Sequence, residues 1–155
     1  MRAMATVVAL AASPAAADGL AAWSEHCLSP FMTAARAAEV LPAAHDFYDL
    51  RPFSDVAPSP GGDVTPGTDR RCAVTVAGAR GEAAVAAAEG ALAREGIDAA
   101  VPVPATHAPG PGTVLMAARA LNPRRIAVVE VREADGATTL SVERLTPEAS
   151  AEALR

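Results

Sequence analysis

The stretch Arg124–Leu145, RRIAVVEVREADGATTLSVERL, decides the fold. Asp135-Gly136 is a two-residue turn signal of the type I′ kind, in which both central residues take positive φ. Counting outward from it pairs Ala134 with Ala137, Val131 with Leu140 and Val129 with Val142. These apolar pairs share one face, while Glu130 with Ser141 and Arg132 with Thr139 share the other. A slip of one residue would exchange the faces, so the turn and the hydrophobic pattern specify the same register. The hairpin therefore has one core face and one polar face.

Neighbouring segments extend this unit. Thr113–Leu121, TVLMAARAL, fits a strand that joins the hairpin through the NPRR turn, or a helix with Thr113 as cap and Asn122 after its end. The short connection to Ile126 favours the strand. CAVTVA, Cys72–Ala77, is a short β-branched run that reads as another strand. Glu82–Glu95 places Val85, Ala88 and Leu92 on one side of a helix, with Gly96 as the residue that ends it. Ile97–Val103 is expected as a short edge strand limited by Pro102 and Pro104. Thr146-Pro147 starts a terminal helix, with Thr as cap and Pro at the first helical position.

At the other end, Leu20, Trp23 and Cys27 recur at helical spacing. Ser29-Pro30 reads as a cap and restart, with Phe31, Ala34, Ala38 and Leu41 as a second apolar stripe before Pro42. Residues 43–71 are rich in Pro, Gly and acids and read as a long irregular loop. Phe47, Tyr48, Leu50 and Phe53 are expected to pin its first half, and Ala57–Gly67 to be flexible. The sum is a small two-layer α+β domain over residues 18–155: an antiparallel sheet of three to five strands, helices packed on one face, and an N-terminal helical segment stapled to the sheet.

Residues 1–17, MRAMATVVALAASPAAA, have the form of a signal peptide: Arg2, a short apolar run, a Ser13-Pro14 break and small residues at the cleavage site. A periplasmic or secreted location follows, with no transmembrane segment expected in the mature chain. The Ala, Arg, Gly and Pro excess reflects GC-rich coding and points to a bacterial source. The chain holds two cysteines, Cys27 and Cys72. In an oxidising compartment an even count implies a disulfide. Closing so long a loop is worth roughly 4 kcal/mol on the chain-entropy model. Aromatic residues make up only 3% of the chain, so a staple suits a core with few large anchors. Glu25-His26-Cys27 is then no reactive triplet: adjacent helical residues do not face one another.

The net charge of −5 opposes nucleic-acid binding, which needs a basic surface. HExxH, CxxC, GxSxG, SxxK and phosphate-binding glycine motifs are all missing, and no cofactor is implied. Two clusters remain. His45, Asp46 and Asp49 of HDFYD, together with His26, are candidate ligand or metal contacts. Arg70, Arg71, Arg124 and Arg125 each precede a strand and are candidate anion contacts. The expected function is binding without catalysis, with another envelope protein as partner. The alternative is a small exported hydrolase or metal-binding enzyme using the region of His26, His45 and Asp46.

Overall fold

In the computed structural model, which describes residues 14–51 and 64–155, six strands form one antiparallel sheet. The elements in chain order are α1 (Pro14–His26), α2 (Ala34–Val40), β1 (His45–Asp49), β2 (Thr68–Ala77), α3 (Gly81–Arg94), β3 (Ala100–Val101), β4 (Thr113–Asn122), β5 (Arg125–Ala134), β6 (Ala137–Leu145) and α4 (Pro147–Ala153). Across the sheet the order is β1-β2-β6-β5-β4-β3. Residues 1–13 of the expected signal peptide 1–17 and the Pro-rich stretch 52–63, with Phe53, lie outside the described residues.

The hairpin stands as its turn dictates. Ala134 pairs with Ala137, Val131 with Leu140 and Val129 with Val142. Asp135 and Gly136 have φ of 53° and 73°, the positive pair that a type I′ turn requires. Residues 113–122 are a strand, so the meander is present. The same alternation continues into β2, where Cys72 opposes Val142 and Val74 opposes Leu140.

The core lies between this sheet face and α1, α2 and α3. Trp23, Cys27, Val74, Val129, Val131 and Leu140 are fully shielded from solvent within it. Trp23 also donates from Nε1 to the carbonyl of Cys72 at 3.3 Å, beside the Cys27–Cys72 disulfide, whose Cα atoms are 5.4 Å apart. The staple therefore joins the end of α1 to β2, the strand next to the sheet's edge.

Several expectations change. The sheet has six strands, not three to five. The additions come from the segment read as a loop: HDFYD is edge strand β1, and β2 starts at Thr68. The acids and arginines that suggested solvent instead neutralise one another across strands, as where Asp49 opposes Arg70. The helices do not all share one face. α4 packs against Ile126, Val128 and Leu145, on the opposite side from Val129. Helix α2 begins at Ala34 rather than Pro30. Ser29 Oγ instead accepts from the Phe31 amide in a turn, and Thr33 caps the helix by accepting from the Arg36 amide. This shifts the helical phase: Met32, Ala37 and Leu41 are buried, and Phe31 is 87% exposed.

Candidate functional site: an arginine-lined pocket

The core-face alternation continues past the apolar residues and reaches arginine on three strands. Arg70 follows in line with Cys72, Val74 and Val76 on β2; Arg144 with Leu140 and Val142 on β6; Arg125 with Ala127, Val129 and Val131 on β5. A β-bulge at Asp69, between the pairs Thr68–Leu145 and Arg70–Arg144, lets consecutive residues address the same face. Asp69 accepts from Arg144 Nε at 2.8 Å and from Arg125 Nη2 at 2.5 Å. From the end of β1, Asp49 takes a bidentate bond from Arg51, at 2.9 Å on Nε and 2.5 Å on Nη2. Asp49 also lies 3.5 Å from Arg70 Nε as an ion pair.

The loop after Cys27 closes this end of the core. Its carbonyls hold two of the arginines: Arg70 Nη2 donates to Ser29 at 2.5 Å and Arg51 Nη2 to Pro30 at 2.9 Å. Between loop and sheet lies a cavity of about 510 Å³. Arg51, Arg70, Arg125 and Arg144 line it together with Leu28, Ile97, Leu121, Ala127, Val142 and the disulfide. The exposed Glu95 completes the wall.

The electrostatics are one-sided. Four guanidinium groups meet two buried carboxylates, Asp49 and Asp69, in a chain whose net charge is −5. Burial disfavours the Asp49 carboxylate, but hydrogen bonds from the Arg51 side chain and backbone, with the charges of Arg51 and Arg70, hold its pKa below the ordinary value. Burial is the main force on Arg70, pushing it down to about 10; Arg144 and Arg51 push the same way against the pull of Asp49 and Asp69. Arg70 Nε, Arg125 Nε and Arg144 Nη2 are buried without a hydrogen-bond partner among the described residues. Unpaired buried donors are rare and call for an explanation. The Arg70 head lies over the Phe47 ring, 5.5 Å from its centroid, which fixes the side chain by a cation–π contact.

The sequence-derived candidates are thus redistributed. Cys27 and Cys72 form the disulfide in the pocket wall. Each arginine pair is split: Arg70 and Arg125 enter the pocket, Arg71 turns to the other sheet face to meet Asp46 and Glu143, and Arg124 is exposed in the β4–β5 turn. HDFYD is split by strand alternation, with Asp49 in the pocket and Asp46 on the far side. His45 Nδ1 lies 2.7 Å from the Pro42 carbonyl, and His26 lies 3.8 Å from Glu25. Among the described residues, no three His, Cys, Asp or Glu side chains gather as a metal site would need. Arg51, Asp69 and Arg144 belong to the site without having been singled out. The available signal was an arginine standing in register with the apolar residues of three strands.

The far face, expected to be open, carries α4 at one end and is bridged elsewhere. Glu143 accepts from His107, 2.7 Å away at Nε2, from Thr65 at 2.6 Å, and from Arg71. Among the described residues, no helix is long and apolar enough to cross a membrane. Compared with protein-family models, with curated proteins and with solved structures, the chain matches none.

Proposed function

We infer that this chain is an exported, disulfide-stapled protein that acts by binding, not catalysis, and that its arginine-lined pocket receives an anion. The observation that carries the reading is the surplus of guanidinium over carboxylate around one cavity, with three buried donors that make no hydrogen bond among the described residues, two of them only at ion-pair distance from Asp49. Guanidinium forks match planar anions with paired hydrogen bonds, and burial strengthens each of them. The cavity volume falls in the ~300–1,000 Å³ range of small-molecule sites. Export is supported by the disulfide together with the signal-like N-terminus. A catalytic reading at His26, His45 and Asp46 would need those side chains to converge, and each is tied to a different neighbour.

The test is thermal unfolding of the purified protein at low ionic strength, where screening is weak, against phosphate, sulfate, citrate and a series of carboxylates. A saturable rise in Tm with at least one anion is expected, reaching about 2.7 kcal/mol of stabilisation at a hundredfold excess over Kd. The rise should be lost in Arg125→Gln and in Arg144→Gln. No saturable effect from any anion would sink the reading.

A further inference from the structure

We propose that the anion taken by the arginine pocket is a single carboxylate carried on an apolar body, as in a short fatty acid or an arylalkanoic acid; this rests on the anion-binding reading above. Three features of the site select this class. The first is charge. Of the four guanidinium groups, Asp49 and Asp69 neutralise two, and the exposed Glu95, which makes no ion pair with the others, adds a negative charge at the rim. A positive surplus is left inside the pocket, which an anion offsets. A phosphate dianion would be repelled by Glu95 more strongly than a monoanion.

The second feature is shape. Leu28, Ile97, Leu121, Ala127 and Val142 face the same cavity as the arginines, alongside the disulfide sulfurs. An inorganic ion would leave this apolar wall in contact with water. A carboxylate with a hydrocarbon tail satisfies both kinds of lining at once, since each buried methylene adds to binding. The third feature is a fixed donor set. The Arg70 side chain is only 9% exposed, is held by the Ser29 carbonyl and the Phe47 ring, and keeps an Nε that makes no hydrogen bond among the described residues, 3.5 Å from Asp49. A donor held this rigidly loses little freedom when a ligand arrives.

Isothermal titration at low salt with octanoate, 3-phenylpropionate, acetate, inorganic phosphate and octanamide tests the assignment. Octanoate or 3-phenylpropionate should bind at least about tenfold more tightly than acetate or phosphate, and octanamide should not bind. Arg125→Gln should weaken the favoured acid by at least about tenfold. Glu95→Gln changes an exposed residue, so folding is not at stake; it should raise phosphate affinity relative to the wild type. Phosphate binding more tightly than both tailed acids, or Glu95→Gln leaving phosphate affinity unchanged, overturns the carboxylate assignment while the anion reading stands. Octanamide binding as well as octanoate, or no binding by any anion, overturns both.

Discussion

Glu143 offers a test of the far sheet face that can be worked to a magnitude. The residue is 5% exposed on β6, and its carboxylate ties together β2 through Arg71, the β3–β4 connection through His107, and Thr65 ahead of β2. Burial alone would raise its pKa. Hydrogen bonds from His107 and Thr65, with the charge and hydrogen bond of Arg71, outweigh burial and lower it from 4.5 to about 2. A carboxylate whose folded pKa lies below its unfolded value stabilises the fold above the unfolded value, and that stability is lost as pH falls through the folded one. For Glu143 the window runs from 4.5 down to about 2. At 1.36 kcal/mol per tenfold change in proton affinity, the contribution at neutral pH is on the order of 3 kcal/mol. Glu143→Gln keeps the shape and removes the charge. Urea unfolding at pH 7 should show a loss on the order of 3 kcal/mol, and the gap to wild type should narrow below pH 4.5 to a small fraction near pH 2. Asp49 is also held below its ordinary pKa, but on the other face and in both proteins, so its acid response cancels in the difference. A gap that stays constant from pH 7 to pH 2 would refute the reasoning and assign the loss to packing.

Four further outcomes follow from the fold. Replacing Cys27 and Cys72 by Ser opens a cross-link between residues 45 apart and should cost about 4 kcal/mol in non-reducing urea titrations. The same double variant should bind anions more weakly, because the loop carrying the Ser29 and Pro30 carbonyls loses its anchor. Gly112→Ala should lower Tm sharply, by the equivalent of more than ~2 kcal/mol: φ is +80° there, and a Cβ would collide with the Glu133 carbonyl oxygen. Gly136→Ala, at φ +73° with nothing within 4 Å, should cost only about 1 kcal/mol, from backbone conformation alone.

The hairpin, its register, helix α3, the terminal helix and the disulfide were legible because each rests on a local signal: a turn dipeptide, strict alternation, a cap or a cysteine count. The β4 segment stood open between strand and helix, with the strand favoured only by the short connection to Ile126. What escaped is set by partners distant in sequence. β1 carries Asp46 and Asp49 around Phe47 and Tyr48, and its charges look like solvent until β2 supplies Arg70 and Arg71 opposite them. The phase of α2 turned on which hydroxyl caps it: Ser29-Pro30 has the sequence form of a cap, yet Thr33 takes that role. The pocket was half visible. Arg70 and Arg125 drew notice as members of pairs, yet pairing is irrelevant, since alternation sends one member of the 70–71 pair to each face. Their common feature is the apolar column each one ends, which Arg144 shares. Asp69 could not have been placed without the bulge that turns it toward Arg125 and Arg144.

The most direct measurement is an NMR titration of the arginine Nε–Hε resonances with the anion series at low ionic strength. Every one of the 13 basic side chains is an arginine, so the exposed ones serve as controls in the same spectrum. The account predicts saturable, ligand-dependent shifts for Arg70, Arg125 and Arg144, with Arg36 and Arg124 unmoved. Shifts of equal size across exposed and pocket arginines, or no saturable shift with any anion, would contradict it.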